Sequence, residues 1–363
     1  MQLRASRHPA AAPTAGDRQA VGLWLLALAL MVLVMVVLGG LTRLTGSGLS
    51  MVEWQPLSVL PPLSETAWQG MFAKYQASPQ YQLVNADMTL TGFQQIFWLE
   101  YIHRLWGRLI GLAFLLPFVV FVLRRRIGRA EAPRLVVLFV LGGLQGVLGW
   151  FMVKSGLADR PEVSHYRLAA HLMAALLIYA ALLWSSLVYL AGPGGARHDA
   201  QRLKPPLLGL LGLVGLTIPA GALVAGLHAG LIYNSFPLMD GAWLPNEALD
   251  LSPAWRNVFE NLALVQFDHR LLAGLVWASA VGLWLWSRRL ALSARAGLAV
   301  RLVPVAATLQ VALGISTLLL VVPLSLAVAH QAGAFLLFSA VLWALFEATR
   351  GGSRNHGGTE GRP

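Results

Sequence analysis

Six uncharged apolar stretches, each close to the length that carries a helix across a hydrocarbon core, dominate this sequence. They fall at 21–41, 135–153, 168–190, 205–227, 302–322 and 324–346, and about 20 helical residues span such a core. Two weaker stretches join them: 105–123 carries Arg108 near its start, and 271–287 is short unless it extends back through 258–266. We read eight transmembrane helices. Pro117, Pro219 and Pro304 fall inside spans, where neighbouring helices can satisfy the freed backbone groups. Only 12% of the 363 residues are charged and 57% are hydrophobic, against about a quarter charged in soluble domains. That balance excludes a disordered chain and argues against a soluble enzyme.

The formal net charge of +11 would suit a nucleic-acid partner if the basic residues clustered on one domain. They follow the spans instead. With the N-terminus placed inside, 18 of the 27 Lys and Arg fall in cytoplasmic segments, and 11 of the 16 acids fall outside. The positive-inside rule then puts both termini in the cytoplasm, and nucleic acid drops out. Residues 1–20 read as a cytoplasmic tail, because no small-residue cleavage pattern follows the first apolar run. The Gly-rich segment 347–363 reads as a disordered cytoplasmic tail. Two long outer loops, 43–97 and 228–257, are rich in Trp and Tyr, which favours order at the membrane interface. Cysteine is absent. Disulfides, iron–sulfur clusters, covalently attached haem and a Cys nucleophile are thereby excluded.

The chain also recurs internally. His103-Arg104-Leu105 returns as His269-Arg270-Leu271, Leu144-Gln145 with Leu148-Gly149 as Leu309-Gln310 with Leu313-Gly314, and Ala170-His171 with Trp184 as Ala329-His330 with Trp343. Gly39, Leu41, Gly48 and Leu49 match Gly221, Leu223, Gly230 and Leu231. Each match joins a span to the fourth one after it. The expected fold is therefore an all-α integral membrane protein of two tandem four-helix bundles, 21–190 and 205–346, joined by a cytoplasmic linker at 191–204. An even number of spans per unit gives both halves the same orientation, about an axis along the membrane normal.

The recurrence singles out four of the nine histidines. His103, His171, His269 and His330 fall in the first turns at the outer ends of spans 2, 4, 6 and 8, at one depth. A lone intramembrane His more often bonds a neighbour than ligates a metal; four at matched positions reverse that. Neutral imidazole suits haem iron, and two facing helices can each supply one to opposite porphyrin faces. Two bis-His haem sites is the economical reading. Zinc is the runner-up, but no carboxylate completes a tetrahedral set at both pairs. His8, His198 and His356 read as solvated cytoplasmic residues, and His165 and His228 as interfacial hydrogen-bonding ones.

The two halves differ at one informative place. Glu100 lies three residues before His103, on the same helical face, and its counterpart is Gln266. Glu100 either pairs with Arg104 or Arg108, or supplies one site with a proton acceptor or cation stabiliser. Arg43, Arg104, Arg167 and Arg270, at the outer helix ends, are candidate partners for haem propionates.

The string Trp98-Leu99-Glu100-Tyr101-Ile102-His103-Arg104-Leu105-Trp106-Gly107-Arg108 resembles the haem A synthase family. So do 39–50, from Gly39-Gly40-Leu41-Thr42-Arg43 to Gly48-Leu49-Ser50, Phe236-Pro237-Leu238-Met239-Asp240-Gly241 and His330-Gln331. The likeness covers all eight spans and leaves out only the tails. The missing cysteines place it with the cysteine-free branch typical of proteobacteria and mitochondria. The resemblance implies haem b held by His269 and His330, and haem O bound as substrate at His103 and His171. It also implies Glu100 as a catalytic residue and haem A as product, made by oxidising the C8 methyl to a formyl group through successive hydroxylations. It implies a bacterial inner-membrane location. Expected partners are haem O, membrane lipid and an electron donor that the sequence does not name. Haem O synthase, oxidase assembly factors and a second copy of the chain are further candidates.

Two other classes compete. A di-haem cytochrome b in quinone-linked electron transfer would share the paired histidines, but has no need of one special carboxylate. A transporter would place polar residues near mid-membrane, where these spans are nearly clean. The topology is directly checkable: reporter fusions after Arg126 and after Asp87 should score inside and outside respectively, and the reverse pattern would overturn the placement of all four histidines.

Overall fold

A computed structural model of the chain describes residues 14–54, 60–158, 161–192 and 198–350. Among them eight helices are long and apolar enough to cross a membrane: α1 (Ala15–Leu44), α2 (Leu90–Leu123), α3 (Ala132–Gly156), α4 (His165–Leu190), α5 (Lys204–Gly226), α6 (Leu262–Ser287), α7 (Ala294–Leu319) and α8 (Leu324–Thr349). Pro117, Pro219 and Pro304 sit inside α2, α5 and α7 as expected. The described residues hold no strand, only an isolated bridge between Met239 and Ala242.

The helix starts are written locally. Thr14 and Asp17 form a reciprocal capping box at α1. Thr89, Asn261 and Ser293 cap α2, α6 and α7 with side-chain oxygens that accept from first-turn N–H groups, satisfying donors the helix cannot. The capping box draws α1 back to Ala15, so the expected tail 1–20 ends earlier; residues 1–13, with His8, lie outside the described set. At the other end α8 runs to Thr349, past the expected end of the span, and 351–363 with His356 lie outside the described residues. The linker contains a short helix, His198–Gln201.

The largest correction concerns α2. It begins at Leu90, fifteen residues before the expected span, so His103 lies about four turns into its helix and not in the first turn. The reason is an aromatic stripe. Phe93, Phe97 and Tyr101 recur at four-residue spacing and are buried with Tyr75 under the outer helices Glu65–Gln76 and Pro79–Leu83. Burying one such ring contributes about 1.5–3 kcal/mol, enough to hold helix where the hydropathy is too low to announce a span. Likewise α6 reaches back to Leu262, after a short helix at Arg256–Glu260.

Packing forms two rings of four. Helix α1 touches α2 and α4, and α3 touches α2 and α4; α5 touches α6 and α8, and α7 touches α6 and α8. The rings meet through α1 with α8, α4 with α5, and α4 with α8. Polar ties cross this junction: Gln331 donates to the Val36 carbonyl at 2.9 Å, and the Tyr179 and Ser339 hydroxyls are 2.7 Å apart. Four central helices thus form a wall, and α2, α3, α6 and α7 lie outside it.

Candidate functional site

Each of the four histidines lies against a glycine of the preceding long helix. A Cβ added at Gly39 of α1 would come within 3.2 Å of the His103 ring on α2, and one at Gly149 of α3 within 3.2 Å of His171 on α4. In the second ring, Gly221 of α5 stands in the same relation to His269 of α6 at 2.9 Å, and Gly314 of α7 to His330 of α8 at 2.8 Å. Real Cβ atoms are rarely tolerated so close. Glycine lets the imidazole approach the neighbouring backbone, and the rigid helix then fixes the ring. Both the glycines and the histidines belong to the recurring motifs of the sequence, but that recurrence does not announce their contact.

Three of the four imidazoles leave one ring nitrogen without a partner. Nδ1 of His103, His171 and His269 is buried without a hydrogen bond, whereas Nδ1 of His330 lies 3.1 Å from Gln310 Nε2. A buried unsatisfied polar atom costs about 1–3 kcal/mol. Two glutamines buttress the pairs: Gln145 donates to the His171 carbonyl at 3.1 Å and Gln310 to the His330 carbonyl at 2.8 Å. Neither was singled out from sequence as part of a site. The His269 and His330 rings have centroids 6.3 Å apart and planes at 89°. An imidazole nitrogen binds a first-row metal at about 2 Å, so two imidazoles on opposite sides of one ion have centres about 6 Å apart. Among the described residues no group of three or more His, Asp or Glu could hold a metal. The His269–His330 spacing therefore fits one ion held between the two rings, with its remaining ligands supplied by a macrocycle.

Glu100 is buried, 2% exposed, and four donors converge on it. The Ser50 hydroxyl and the Met51 N–H donate to Oε2 at 2.7 and 2.8 Å, and Arg104 donates to Oε1 from Nη2 at 2.6 Å and Nε at 3.1 Å. Arg104 also donates to the carbonyls of Met51 and Glu53 at 2.9 and 3.1 Å. The second ring repeats the clamp with an amide. Arg270 donates to Gln266 Oε1 at 2.8 Å and to the carbonyls of Tyr233 and Ser235 at 2.8 and 2.9 Å. Gln266 turns its own N–H to the Ala229 carbonyl at 2.7 Å. Both arginines thus fasten an outer loop over the ring of helices. What differs is that the first ring places a carboxylate three residues before its histidine.

The other two arginines are also engaged. Arg167 donates to the Phe151 carbonyl at 2.7 Å with its guanidinium 3.6 Å from that residue's ring centroid. Arg43 donates to the Ala225 carbonyl at 2.9 Å and lies 3.1 Å from His228 Nε2; its Nε, like that of Arg270, is buried without a partner. Through Arg43, His228 joins the two rings at the end that carries the long loops. It adopts a left-handed backbone, φ 55°, where its counterpart Gly46 has φ 66°, a conformation that costs a non-glycine residue roughly 1–2 kcal/mol. His165 departs from the interfacial hydrogen-bonding role expected of it at Nε2, which is buried without a partner. Its backbone and Cβ abut Gly226, and its ring lies 4.1 Å from that of Tyr166.

Residues 22–342 match the family model described as COX15-CtaA, cytochrome oxidase assembly protein. The chain belongs to this family. Among its relatives, the Heme A synthase of Paramagnetospirillum magneticum is 52% identical over 92% of this chain and 95% of its own. That of Nitrosospira multiformis is 50% identical over 91% and 94%, and Heme A synthase COX15 of Homo sapiens is 44% identical over 96% and 87%. The family match takes in all four glycine–histidine contacts, both arginine clamps and the Arg43–His228 contact.

That last contact carries a pH signature. Burial first, and the Arg43 guanidinium second, hold the His228 imidazole below the ordinary histidine range, partly offset by Glu162. An unfolded chain takes up this proton at about pH 6.5, before the folded chain does. Stability is therefore lost as pH falls below about 6.5. The melting temperature of the detergent-solubilised protein should drop between about pH 7.5 and 5.5, and should drop less in His228→Asn, which tolerates the left-handed backbone. An identical pH dependence in the two proteins would contradict this.

Proposed function

We propose that the chain is a haem A synthase, oxidising the C8 methyl group of haem O to the formyl group of haem A by successive hydroxylations and loss of water. The observation that carries the reading is identity of about half the residues, across nearly the whole chain, with relatives that bear that name. The paired imidazoles favour it further. In this reading His269 and His330 hold haem b, in agreement with their 6.3 Å ring separation, and His103 and His171 hold haem O. The protein lies in the bacterial inner membrane with both termini cytoplasmic. Its candidate partners are an electron donor, haem O synthase, oxidase assembly factors and a second copy of the chain.

Haem b, when bound, supplies one-electron transfer. The oxygen atom and the oxidising equivalents come from outside the chain, and the protein's own groups bind and orient the substrate. The glycine-seated imidazoles fix the depth and tilt of the substrate porphyrin. The loop fastened by Arg104 lies over the outer end of the site, and Glu100 holds a carboxylate beside the His103 helix face. With two donors on each oxygen, Glu100 has no unengaged oxygen to receive a proton. The geometry therefore favours stabilising cationic character on the carbon being oxidised over taking a proton from it. A di-haem cytochrome b would leave this Glu100/Gln266 difference without a use.

Glu100→Gln tests the assignment. The second ring accommodates Gln at this position by turning the amide to a loop carbonyl, so the variant should fold and keep its haem b. The Met51 N–H loses its acceptor, a destabilisation of about 1–3 kcal/mol. Haem A formed per bound haem b should fall about a hundredfold or more. Wild-type turnover on that basis would reduce Glu100 to a residue that only fastens the loop.

A further inference from the structure

We infer that the cleft between α2 and α3 seats the isoprenoid tail of the substrate porphyrin, an inference that rests on the reading of His103 and His171 as the haem O site. The argument is a comparison of corresponding helix pairs. In the second ring Trp277 of α6 donates its indole N–H to Thr308 of α7 at 3.1 Å, and Ala307 beside it is fully buried. The offset of 166 that relates His103 to His269 puts Gly111 in the place of Trp277. The offset of 165 that relates Gln145 to Gln310 puts Gly142, Gly143 and Gly146 in the places of Ala307, Thr308 and Val311. Four positions that carry side chains in one ring are glycine in the other.

These glycines are not required by close packing. A Cβ at Gly111, Gly142, Gly143 or Gly146 would meet no heavy atom within 4 Å, unlike the four glycines under the histidines. Glycine inside a helix costs about 0.5–1 kcal/mol relative to alanine; Gly274 and Gly282 of α6 are equally open, so the comparison rests on the positions that Trp277 and Thr308 bridge in the second ring. The surroundings are correspondingly open. Only 6% of the apolar window of α2 and of α3 is buried, against 22% for α6 and for α7.

By helical spacing the open glycine face leads to the imidazole site. Gly142, Gly146 and Gly149 share one side of α3 by their spacing, and Gly149 is the residue against His171. Gln145 of the same helix donates to the His171 carbonyl. On α2, Gly111 lies eight residues beyond His103, away from the outer loops. At 1.5 Å per residue the space runs about 10–12 Å inward from the imidazoles. Haem O carries a long isoprenoid chain that haem b lacks. A porphyrin held at His103 and His171 must direct that chain between helices, and the ring proposed for the tail-less haem has this path bridged by Trp277. Lipid is as apolar as the cleft, so burial alone gives the tail little; the cleft acts by admitting its bulk.

The test installs the second ring's bridge in the first. The full-length protein, purified in detergent with its haem b, is titrated with haem O and separately with protohaem, and uptake that depends on His103 is read from absorbance against His103→Ala. In Gly111→Trp/Gly143→Thr the affinity for haem O should fall about tenfold or more, about 1.4 kcal/mol, with protohaem affinity unchanged. Gly146→Val, a milder filling of the same space, should give the same order with a smaller loss. An unchanged haem O affinity would overturn the proposal and leave the cleft to lipid chains. Equal loss of both porphyrins would overturn it too, since the variants would then act on the imidazoles. If the wild-type protein shows no His103-dependent uptake of either porphyrin, the haem O site itself fails and the tail cleft falls with it.

Discussion

An imidazole seated edge-on against the backbone of a neighbouring helix is the contact on which the arrangement depends. It needs glycine on one helix and histidine on the next, and it occurs at Gly39–His103, Gly149–His171, Gly221–His269 and Gly314–His330. A methyl group at Gly221 or Gly314 would sit within 3 Å of a ring carbon, so the ring would have to move or the helices part. A long apolar helix can otherwise slide or rotate against its neighbour at little cost in lipid, because lipid and side chain are alike. These contacts remove that freedom at the depth where polar chemistry is placed.

Around that shared frame the two rings diverge, besides at His228 and Gly46, in one chemical and one steric respect. One is chemical: the arginine clamps hold matching pairs of loop carbonyls, yet Arg104 also grips a carboxylate and Arg270 an amide. A buried carboxylate demands donors on both oxygens; Ser50 and Met51 supply them at Oε2 and Arg104 at Oε1. The other is steric, Gly111 and Gly143 standing where Trp277 and Thr308 meet in the second ring. Both divergences fall in the same ring, as expected if one porphyrin is transformed and the other stays as it is.

Much of this was legible in the sequence for physical reasons. Spans are long apolar runs because lipid tolerates nothing else, and the four histidines stand out because so little else in the spans is polar. The start of α2 was missed because Gln94, Gln95 and Glu100 lower its hydropathy, although Phe93, Phe97 and Tyr101 carry a helical period. The Glu100–Arg104 pair was one of the readings the sequence offered, but the rest of each clamp left no trace, since its acceptors are backbone carbonyls of Met51, Glu53, Tyr233 and Ser235 that any residue could offer. The Arg43–His228 contact joins positions 185 residues apart with no shared motif. The glycines were read as marks of repetition, and only contact distances separate those that seat a ring from those that leave space.

Low-temperature paramagnetic resonance of the oxidised, purified protein tests the allocation of the two histidine pairs most directly. Two imidazoles on one haem iron give a low-spin signal. That signal should be present in the wild-type protein and in His103→Ala and His171→Ala, and absent from His269→Ala and His330→Ala. A full low-spin signal surviving in His269→Ala or His330→Ala, or its loss in His103→Ala with the protein still folded, would contradict the assignment.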